Sequence, residues 1–342
     1  MSLDIENPAE LLAYLRREGH IGARETPEMR TLAGGVSNRT VLVTRAAGEA
    51  WVLKQALAKL RVQVDWFSSP TRVHREAMGL RTLRQLTPPG TIPALIFEDH
   101  AAHLIGMAAV AQPHENWKQM LLAGHLDLDH VAQFAQILAA IHGGAWRQRA
   151  TLAPEFADRS FFESLRLEPY YGYTAAQLPW AADFLRTLIA QTRQRALTLV
   201  HGDYSPKNVL VREGRLVLLD HEVIHWGDPA FDIGFAMTHL LSKAHYLTNQ
   251  RAAFTQAAQL FWNRYKDGLT PEGQPAESWL RELEDFAVRH TLACLLARAA
   301  GRSPLEYLSP TQRQKQAAAA QVVIDDKTES MEDLIHGFVN SV

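Results

Sequence analysis

The chain has a single cysteine among its 342 residues, Cys294, so no disulfide can form within it. Because Cys294 lies in the apolar stretch Leu292–Leu296, we expect a buried structural thiol rather than a reactive one. An excess of charge of one sign is also missing, since 35 Lys and Arg face 37 Asp and Glu, a net charge of −2. This balance disfavours a dedicated nucleic-acid or anionic-membrane binder, which usually shows a clustered basic excess.

Long apolar segments are absent from the sequence as well. Uncharged apolar runs such as Leu104–Ala111 are far shorter than the ~18–20 residues that a spanning helix needs. The first ten residues carry acids and lack the apolar core of a secretory signal. We therefore expect a cytoplasmic protein with neither a membrane nor a nucleic-acid partner.

The first third of the chain favours a small sheet with flanking helices. A helix is predicted to begin at Asn7-Pro8, where a capping side chain precedes a proline. The β-branched runs Thr40–Thr44 and Trp51–Lys54 predict an antiparallel hairpin. Helical spacing follows over Thr71–Leu86, and a further strand is predicted at His103–Met107.

After about residue 112 the apolar spacing becomes mostly helical. Amphipathic helices are predicted at Val131–Ile141, Ala175–Ala196, Arg251–Tyr265, Ala276–Ala299 and Thr311–Val323. One β island interrupts them, with strands at Thr198–Val200, Val209–Arg212 and Leu216–Leu219. The expected fold class is therefore α+β, with a sheet-rich N-terminal lobe over residues 1–108 and a larger helical lobe over residues 109–342.

The β island carries the residues with the clearest chemistry. Asp203 follows a strand and opens an irregular loop, Asn208 ends that loop, and Asp220 follows the returning strand of the hairpin. Because a tight hairpin returns its second strand beside its first, Asn208 and Asp220 are expected at the same end. Their oxygens suit Mg²⁺, with Glu222 as a further candidate ligand. Asp203 is placed to orient an attacking hydroxyl and accept its proton, as phosphoryl transfer requires.

His201-Gly202-Asp203, Asn208 and Asp220 together resemble the catalytic and metal loops of the aminoglycoside phosphotransferase/choline kinase family. The Asp220-x-Glu222 form, with Phe231-Asp232-Ile233-Gly234 downstream, is most similar to the methylthioribose kinase branch. The resemblance implies a bilobal protein-kinase-like fold, ATP and Mg²⁺ as cofactors, and transfer of the γ-phosphoryl group to a hydroxyl of a small molecule.

The resemblance also implies a nucleotide site in the N-terminal lobe. Lys54 occupies the place of the lysine that neutralises the α- and β-phosphates, and Glu76 on the next helix is expected to pair with it. The loop over the phosphates would contain Gly34, Gly35, Ser37 and Asn38, whose small residues let backbone N–H groups approach an anion. The hinge whose backbone reads the adenine would be Met107–Val110, with Met107, Ala108 and Val110 as the contact candidates.

The acceptor is not determined by these motifs. The chain has Ser205 and Lys207 where the family often carries histidine and glycine, and Lys207 is a candidate for added charge near the transferred group. Trp226 and Arg298 are the other candidate substrate contacts, each weighed against an ordinary packing role. A sugar, an aminoglycoside or an amino alcohol all remain open, and the metal loop tilts the expectation toward a sugar or other polyol.

Two other functions are weighed against the kinase hypothesis. A metallohydrolase could use the histidines interleaved with acids in this region, which are His201, His221, His225 and His239. That hypothesis leaves Lys54 and Glu76 unexplained and lacks a recognised zinc spacing. A catalytically silent nucleotide-binding module is the second alternative. His201 and Asp232 are expected to be structural, with Asp232 preceding a helix and bonding backbone N–H groups of the loop.

Overall fold

The computed structural model describes residues 3–32, 37–61, 66–269 and 277–342, without the side chains of residues 277–281. The strands are β1 Glu28–Thr31, β2 Asn38–Thr44, β3 Ala50–Ala56, β4 Leu95–Asp99, β5 Leu104–Ala108, β6 Glu115–Asn116, β7 Thr198–Val200, β8 Val209–Arg212, β9 Arg215–Leu218 and β10 His225–Gly227.

The helices fall mainly in the second part of the chain. They are α1 Pro8–Arg17, α2 Arg72–Leu86, α3 Trp117–Leu122, α4 Leu128–Arg147, α5 Arg149–Glu155, α6 Ser160–Phe162, a π-helix Glu163–Gly172, α7 Tyr173–Gln177, α8 Ala182–Gln194, α9 Pro229–Tyr246, α10 Arg251–Leu269, α11 Glu277–Ala300, α12 Pro310–Asp325 and α13 Met331–Ser341. Short 3-10 turns lie at Pro179–Ala181, Pro206–Asn208 and Thr248–Gln250.

The N-terminal region is a five-stranded antiparallel sheet in the order β1-β2-β3-β5-β4. Side chains alternate between its faces. Trp51 and Leu53 of β3 pack with Leu11 and Leu15 of α1 in one apolar cluster. Lys54, the residue of β3 after Leu53, points to the opposite face of the sheet, which α2 covers. Because side chains alternate along β3, Lys54 is directed toward α2.

The C-terminal region is helical and is built around the pairs α9 with α11 and α4 with α10. Helix α9 is the centre of this region, because 17 of its 18 residues are buried. Two small antiparallel sheets lie against the helices: β10 pairs with β7, and β6, β8 and β9 form the other. The hairpin β8–β9 is fixed by the pairing of Val209 with Leu218.

Several predicted elements need correction. Helix α9 was not predicted from hydrophobic spacing, because a helix that is buried on every side has no periodic polar face to reveal it; a helix after Asp232 was expected only from the family resemblance. The segment predicted as one helix over 175–196 is broken at Pro179 into α7, a 3-10 turn and α8. Strands β1 and β4 were also missed. Asp232 lies inside the first turn of α9 rather than before a helix.

Other expectations agree with the structure. Asn7 caps α1 by accepting hydrogen bonds from the N–H groups of Ala9 and Glu10. The thiol of Cys294 is fully buried, and burial raises its pKa to about 12. Among the described residues, no helix combines the length and the apolarity that crossing a membrane would need.

Candidate active site

Lys54 joins the N-terminal sheet to the loop after the hairpin. Its Nζ lies 2.6 Å from Oε1 of Glu76 on α2 and 2.9 Å from Oδ1 of Asp220. Burial opposes the charge of Lys54, but Asp220 and Glu76 outweigh it and raise the pKa of Lys54. Burial raises the pKa of Glu76 to about 7 against the attraction of Lys54. The expected pairing of Lys54 with Glu76 is present, and Asp220 shares the same cation.

The hairpin brings the two predicted metal ligands to one end. The N–H of Leu219 donates to the carbonyl of Asn208 at 2.8 Å. Asp220 therefore comes directly after the residue that pairs with Asn208, at the end of the hairpin β8–β9. Asp220 has a φ of +67°, a left-handed conformation that non-glycine residues seldom adopt. Burial disfavours its charge, but Lys54 and then Lys207 outweigh it and lower the pKa of Asp220.

Glu222 is held between the two regions of the protein. Its Oε2 accepts hydrogen bonds from Nδ2 of Asn38 and from Nε of Arg72, each at 3.1 Å. Arg72 is fully buried and also donates to the carbonyl of Ser37. Sequence reasoning did not single out Arg72. A usable signal was its place one helical turn before Glu76, which puts both side chains on one face of α2.

The donor set fits a divalent cation with oxygen ligands. Carboxylate oxygens of Glu76, Asp220 and Glu222 lie within 4.8 Å of one another. Oε2 of Glu76 is buried and has no hydrogen-bond partner among the described residues. The amide nitrogen of Asn208 donates to the carbonyl of Asp203 at 3.0 Å, which leaves its amide oxygen as a ligand. Hard oxygens of this kind are what Mg²⁺ prefers.

Asp203 lies beside this cluster in a strongly cationic setting. Its Oδ2 is 2.9 Å from NH2 of Arg166 and 3.7 Å from Nζ of Lys207. Burial raises its pKa, but the charges of Arg166 and Lys207 outweigh burial and lower the pKa of Asp203. The carboxylate is therefore ionised at neutral pH, as an acceptor of a hydroxyl proton must be.

Arg166 was not found by sequence reasoning. It lies on the π-helix, in a stretch with no clear period and with Pro169 inside it. Besides Asp203, its guanidinium donates to the carbonyl of Gly202 at 2.7 Å and to that of Leu165 at 2.8 Å. No local pattern in the sequence indicates this partnership, because 36 residues separate Arg166 from Gly202.

Asp232 anchors the loop that carries Asp203. Its two carboxylate oxygens accept from the backbone N–H groups of His201 at 2.6 Å and Gly202 at 2.8 Å. Gly202 has a φ of +78°, and a Cβ there would lie 2.8 Å from Cγ2 of Val223. The predicted bonding of Asp232 to the loop is present. His201 is buried, which lowers its pKa and keeps it neutral.

Part of the predicted nucleotide loop and hinge can be placed. Gly34 and Gly35 lie outside the described residues. Ser37 and Asn38 precede and begin β2, and Asn38 is directed to Glu222. Met107 is buried, and the N–H of Ala108 donates to the carbonyl of Ala94 at 2.8 Å.

The candidate substrate contacts fall in different places. Trp226 lies in β10 with its ring buried, and its Nε1 donates to the carbonyl of Ala196 at 3.1 Å. That placement favours packing over contact with an acceptor. The side chain of Lys207 is 54% exposed and lies beside Asp203. Arg298 is buried on α11 and stacks over the rings of Tyr170 and Phe235.

The histidines of the metallohydrolase hypothesis are dispersed. His201 and His221 contact each other at 3.1 Å, but His225 stacks on Phe162 and His239 lies near Arg298. None of these four histidines belongs to a group with metal-ligand spacing in the part of the chain that the structure describes.

Sequence comparison finds relatives that are named as kinases. The chain is 28% identical to methylthioribose kinase from Yersinia enterocolitica over 68% of its length and 65% of that protein's. It is 25% identical to methylthioribose kinase 2 of Oryza sativa subsp. japonica over 68% of its length and 62% of that protein's. The chain therefore spans somewhat less than two thirds of these relatives.

A solved structure shares the fold. A choline/ethanolamine kinase family protein from Mesorhizobium loti superposes with a TM-score of 0.55 and 16% identity, covering 97% of this chain and 99% of that one. The expected protein-kinase-like α+β fold is thereby confirmed. The model of the phosphotransferase enzyme family, APH, matches residues 28–267. With more than half of its length matched, the chain belongs to the APH phosphotransferase family.

Proposed function

We propose that this protein is an ATP-dependent kinase that transfers the γ-phosphoryl group to a hydroxyl of a small molecule, with a sugar or other polyol favoured. The observation that carries the proposal is the convergence of Lys54, Asp220 and Asp203. A phosphate-binding cation, a metal-binding carboxylate and an ionised base are the parts that phosphoryl transfer needs.

In the proposed reaction, the hydroxyl oxygen of the acceptor attacks the γ-phosphorus. The bond from that phosphorus to the β,γ-bridging oxygen breaks, ADP leaves, and the hydroxyl proton passes to the carboxylate of Asp203. Arg166 orients this carboxylate through its 2.9 Å contact and keeps it ionised. Asp232 holds the backbone of the loop, so the base is positioned before substrate binds.

On the nucleotide side, Lys54 would neutralise the α- and β-phosphates while Glu76 keeps it extended. Asn208 and Asp220, with Glu222, would hold Mg²⁺, which when bound neutralises phosphate charge. We place the boundary between the lobes after residue 108. The hinge Met107–Val110 would read the adenine, and the N–H of Val110 has no backbone partner among the described residues.

Two variants test this function. Asp203→Ala should lower kcat by a few orders of magnitude and leave Mg-ATP affinity nearly unchanged, because the base does not bind nucleotide. Asp220→Ala should abolish Mg²⁺-dependent ATP binding in calorimetry, since it removes both a metal ligand and a partner of Lys54. Asp183→Ala, at a fully exposed position on α8, is the matched control.

The proposal fails if the wild type does not bind Mg-ATP, or if Asp220→Ala binds it with unchanged affinity. A catalytically silent module would bind Mg-ATP and yet show no phosphoryl transfer to any acceptor. Measurement of binding and of turnover in the same preparations therefore separates the two hypotheses.

A further inference from the structure

Two buried cations near Asp203 have no carboxylate partner. Arg298 on α11 is 8% exposed, and Lys243 on α9 is fully buried. Within the described ranges, no Asp or Glu oxygen lies within 4.0 Å of the charged nitrogens of either side chain, whereas Arg166 and Arg195 each have such a partner. Burial of a charge is costly unless the charge is paired, so this pair of cations needs an explanation.

The contacts of Arg298 satisfy only part of its guanidinium. NH1 donates to the carbonyl of Ser303 at 2.8 Å and to its hydroxyl at 3.1 Å, and NH2 lies 3.5 Å from Nε2 of His239. The Nε of Arg298 is buried without any hydrogen-bond partner among the described residues. One donor of a planar, permanently charged group is therefore left for a ligand.

Lys243 has fewer hydrogen-bond partners than Arg298. Its Nζ donates to the carbonyl of His239, one turn earlier in its own helix, at 3.2 Å, and lies 5.6 Å from the centre of the Tyr307 ring. An ammonium group has three donors, and a carbonyl uses one of them. His239 contacts Lys243 through its backbone carbonyl and Arg298 through its ring, and the charge of Arg298 acts on Lys243.

A continuous chain of contacts connects these cations to Asp203. Arg166, which binds Asp203 at 2.9 Å, lies 5.8 Å from the centre of the Tyr170 ring. Arg298 lies 5.0 Å from the centre of the same ring. The charge of Arg298 also contributes to the lowered pKa of Asp203, so the two groups are electrostatically coupled. The cations are therefore an extension of the candidate active site.

The neighbouring acids are already engaged. Glu306 pairs with Lys118 at the surface, and Glu168 lies 3.7 Å from Arg302. Together with Arg166 and Lys207 beside Asp203, Arg298 and the protonated form of Lys243 make the surroundings of the base electropositive. Such a field repels a cationic acceptor and attracts an anionic one.

We propose that the acceptor is an alcohol carrying an anionic group, a carboxylate or a phosphate, which Arg298 binds and the charge of Lys243 attracts while its hydroxyl reaches Asp203. This inference rests on the proposed kinase function. A charge-assisted hydrogen bond to the unpartnered Nε of Arg298 would offset the cost of burying that guanidinium. Aminoglycosides and choline-like amines, which carry positive charge, are excluded as preferred acceptors.

The test compares matched alcohols under saturating Mg-ATP, with ADP release measured and the phosphorylated product identified by mass. The pairs are glycerate with glycerol, gluconate with glucose, and ribose 5-phosphate with ribose, and kanamycin and choline form the cationic arm. We expect kcat/KM for at least one anionic member to exceed that of its neutral partner by about tenfold or more. The carboxylate and phosphate pairs show which anion is used.

Two variants connect this preference to the cations. Arg298→Gln and Lys243→Met should each raise KM for the anionic acceptor about tenfold or more, with KM for ATP unchanged. They should also reduce the ratio of kcat/KM for the anionic acceptor to kcat/KM for its neutral partner, which a merely structural role would not do. Arg289→Gln, which removes an arginine of the same helix α11 that is 36% exposed and paired with Asp285, is the control and should leave both values unchanged.

The inference is overturned if a neutral or cationic alcohol is preferred, or if Arg298→Gln lowers turnover of both members of a pair equally. If no alcohol in the panel is phosphorylated, calorimetry with Mg²⁺ and a non-hydrolysable ATP analogue measures acceptor binding directly. If no anionic alcohol of the panel binds at millimolar concentration, the inference is overturned. Failure of the kinase function itself is distinguishable, because the wild type would then not bind Mg-ATP.

Discussion

Replacement of the buried lysine Lys243 by methionine should stabilise this protein. Lys243 is fully buried, and burial, with the nearby charges of Lys118 and Arg298, lowers its pKa from 10.5 to about 7 despite the attraction of Glu306. A shift of this size corresponds to about 5 kcal/mol of destabilisation where the lysine is charged in both states. Methionine has a similar length and no charge, so it should fill the same space beside Tyr307.

The effect has a defined dependence on pH. Because the folded-state pKa of Lys243 lies below its unfolded value, the unfolded chain binds more protons between about pH 7 and 10.5. The wild type therefore gains stability through this window as the pH rises, by up to about 1.4 kcal/mol per pH unit. The advantage of Lys243→Met should be greatest below pH 7 and should shrink as the pH rises above it.

Urea unfolding of both proteins at pH 6, 7, 8 and 9 measures this difference, with Lys266→Met on α10 as a control for the loss of an exposed lysine. At pH 6 the variant should be more stable by several kcal/mol, with about 5 as the upper limit. A variant less stable than the wild type at pH 6, or a difference that stays constant from pH 6 to 9, would refute the argument that an unpaired charge is buried here.

Three further predictions concern the loop and the core. Asp232→Asn replaces the ionised acceptor of two backbone N–H groups and should cost about 2–3 kcal/mol in urea unfolding, whereas Asp183→Asn at an exposed site should cost nothing measurable. Gly202→Ala should cost about 1–3 kcal/mol in urea unfolding, because its φ is +78° and the added methyl meets Val223; an unchanged free energy of unfolding would contradict both effects. Cys294 should resist thiol reagents in the folded protein and react at once in denaturant, because it is fully buried and its pKa is raised to about 12; rapid labelling of the native protein would contradict its burial.

Features that depend on nearby residues were predicted from the sequence. The hairpin after Asn208, the helix cap at Asn7 and the apolar spacing of α2 follow from propensities and spacings over a few residues. The same holds for the placement of Asn208 and Asp220 at one end, since a tight hairpin permits no other arrangement.

Residues that act across long separations in sequence were not predicted. Arg166 reaches Asp203 from a π-helix, and Arg72 reaches Glu222 across 150 residues. Conversely, Trp226 was proposed to face an acceptor, and the structure buries its ring. Neither the period of a helix nor the spacing of a motif carries information about which distant side chains will meet.

By itself, the sequence determined the local geometry of the loop and hairpin, because those conformations depend on hydrogen bonds and turns within a few residues. Only the tertiary structure decided that Lys54 would meet Asp220, and that Arg298 and Lys243 would be buried together beside the same site. The physical reason is that burial and pairing of charges depend on how helices and sheet pack, and packing is a property of the whole fold.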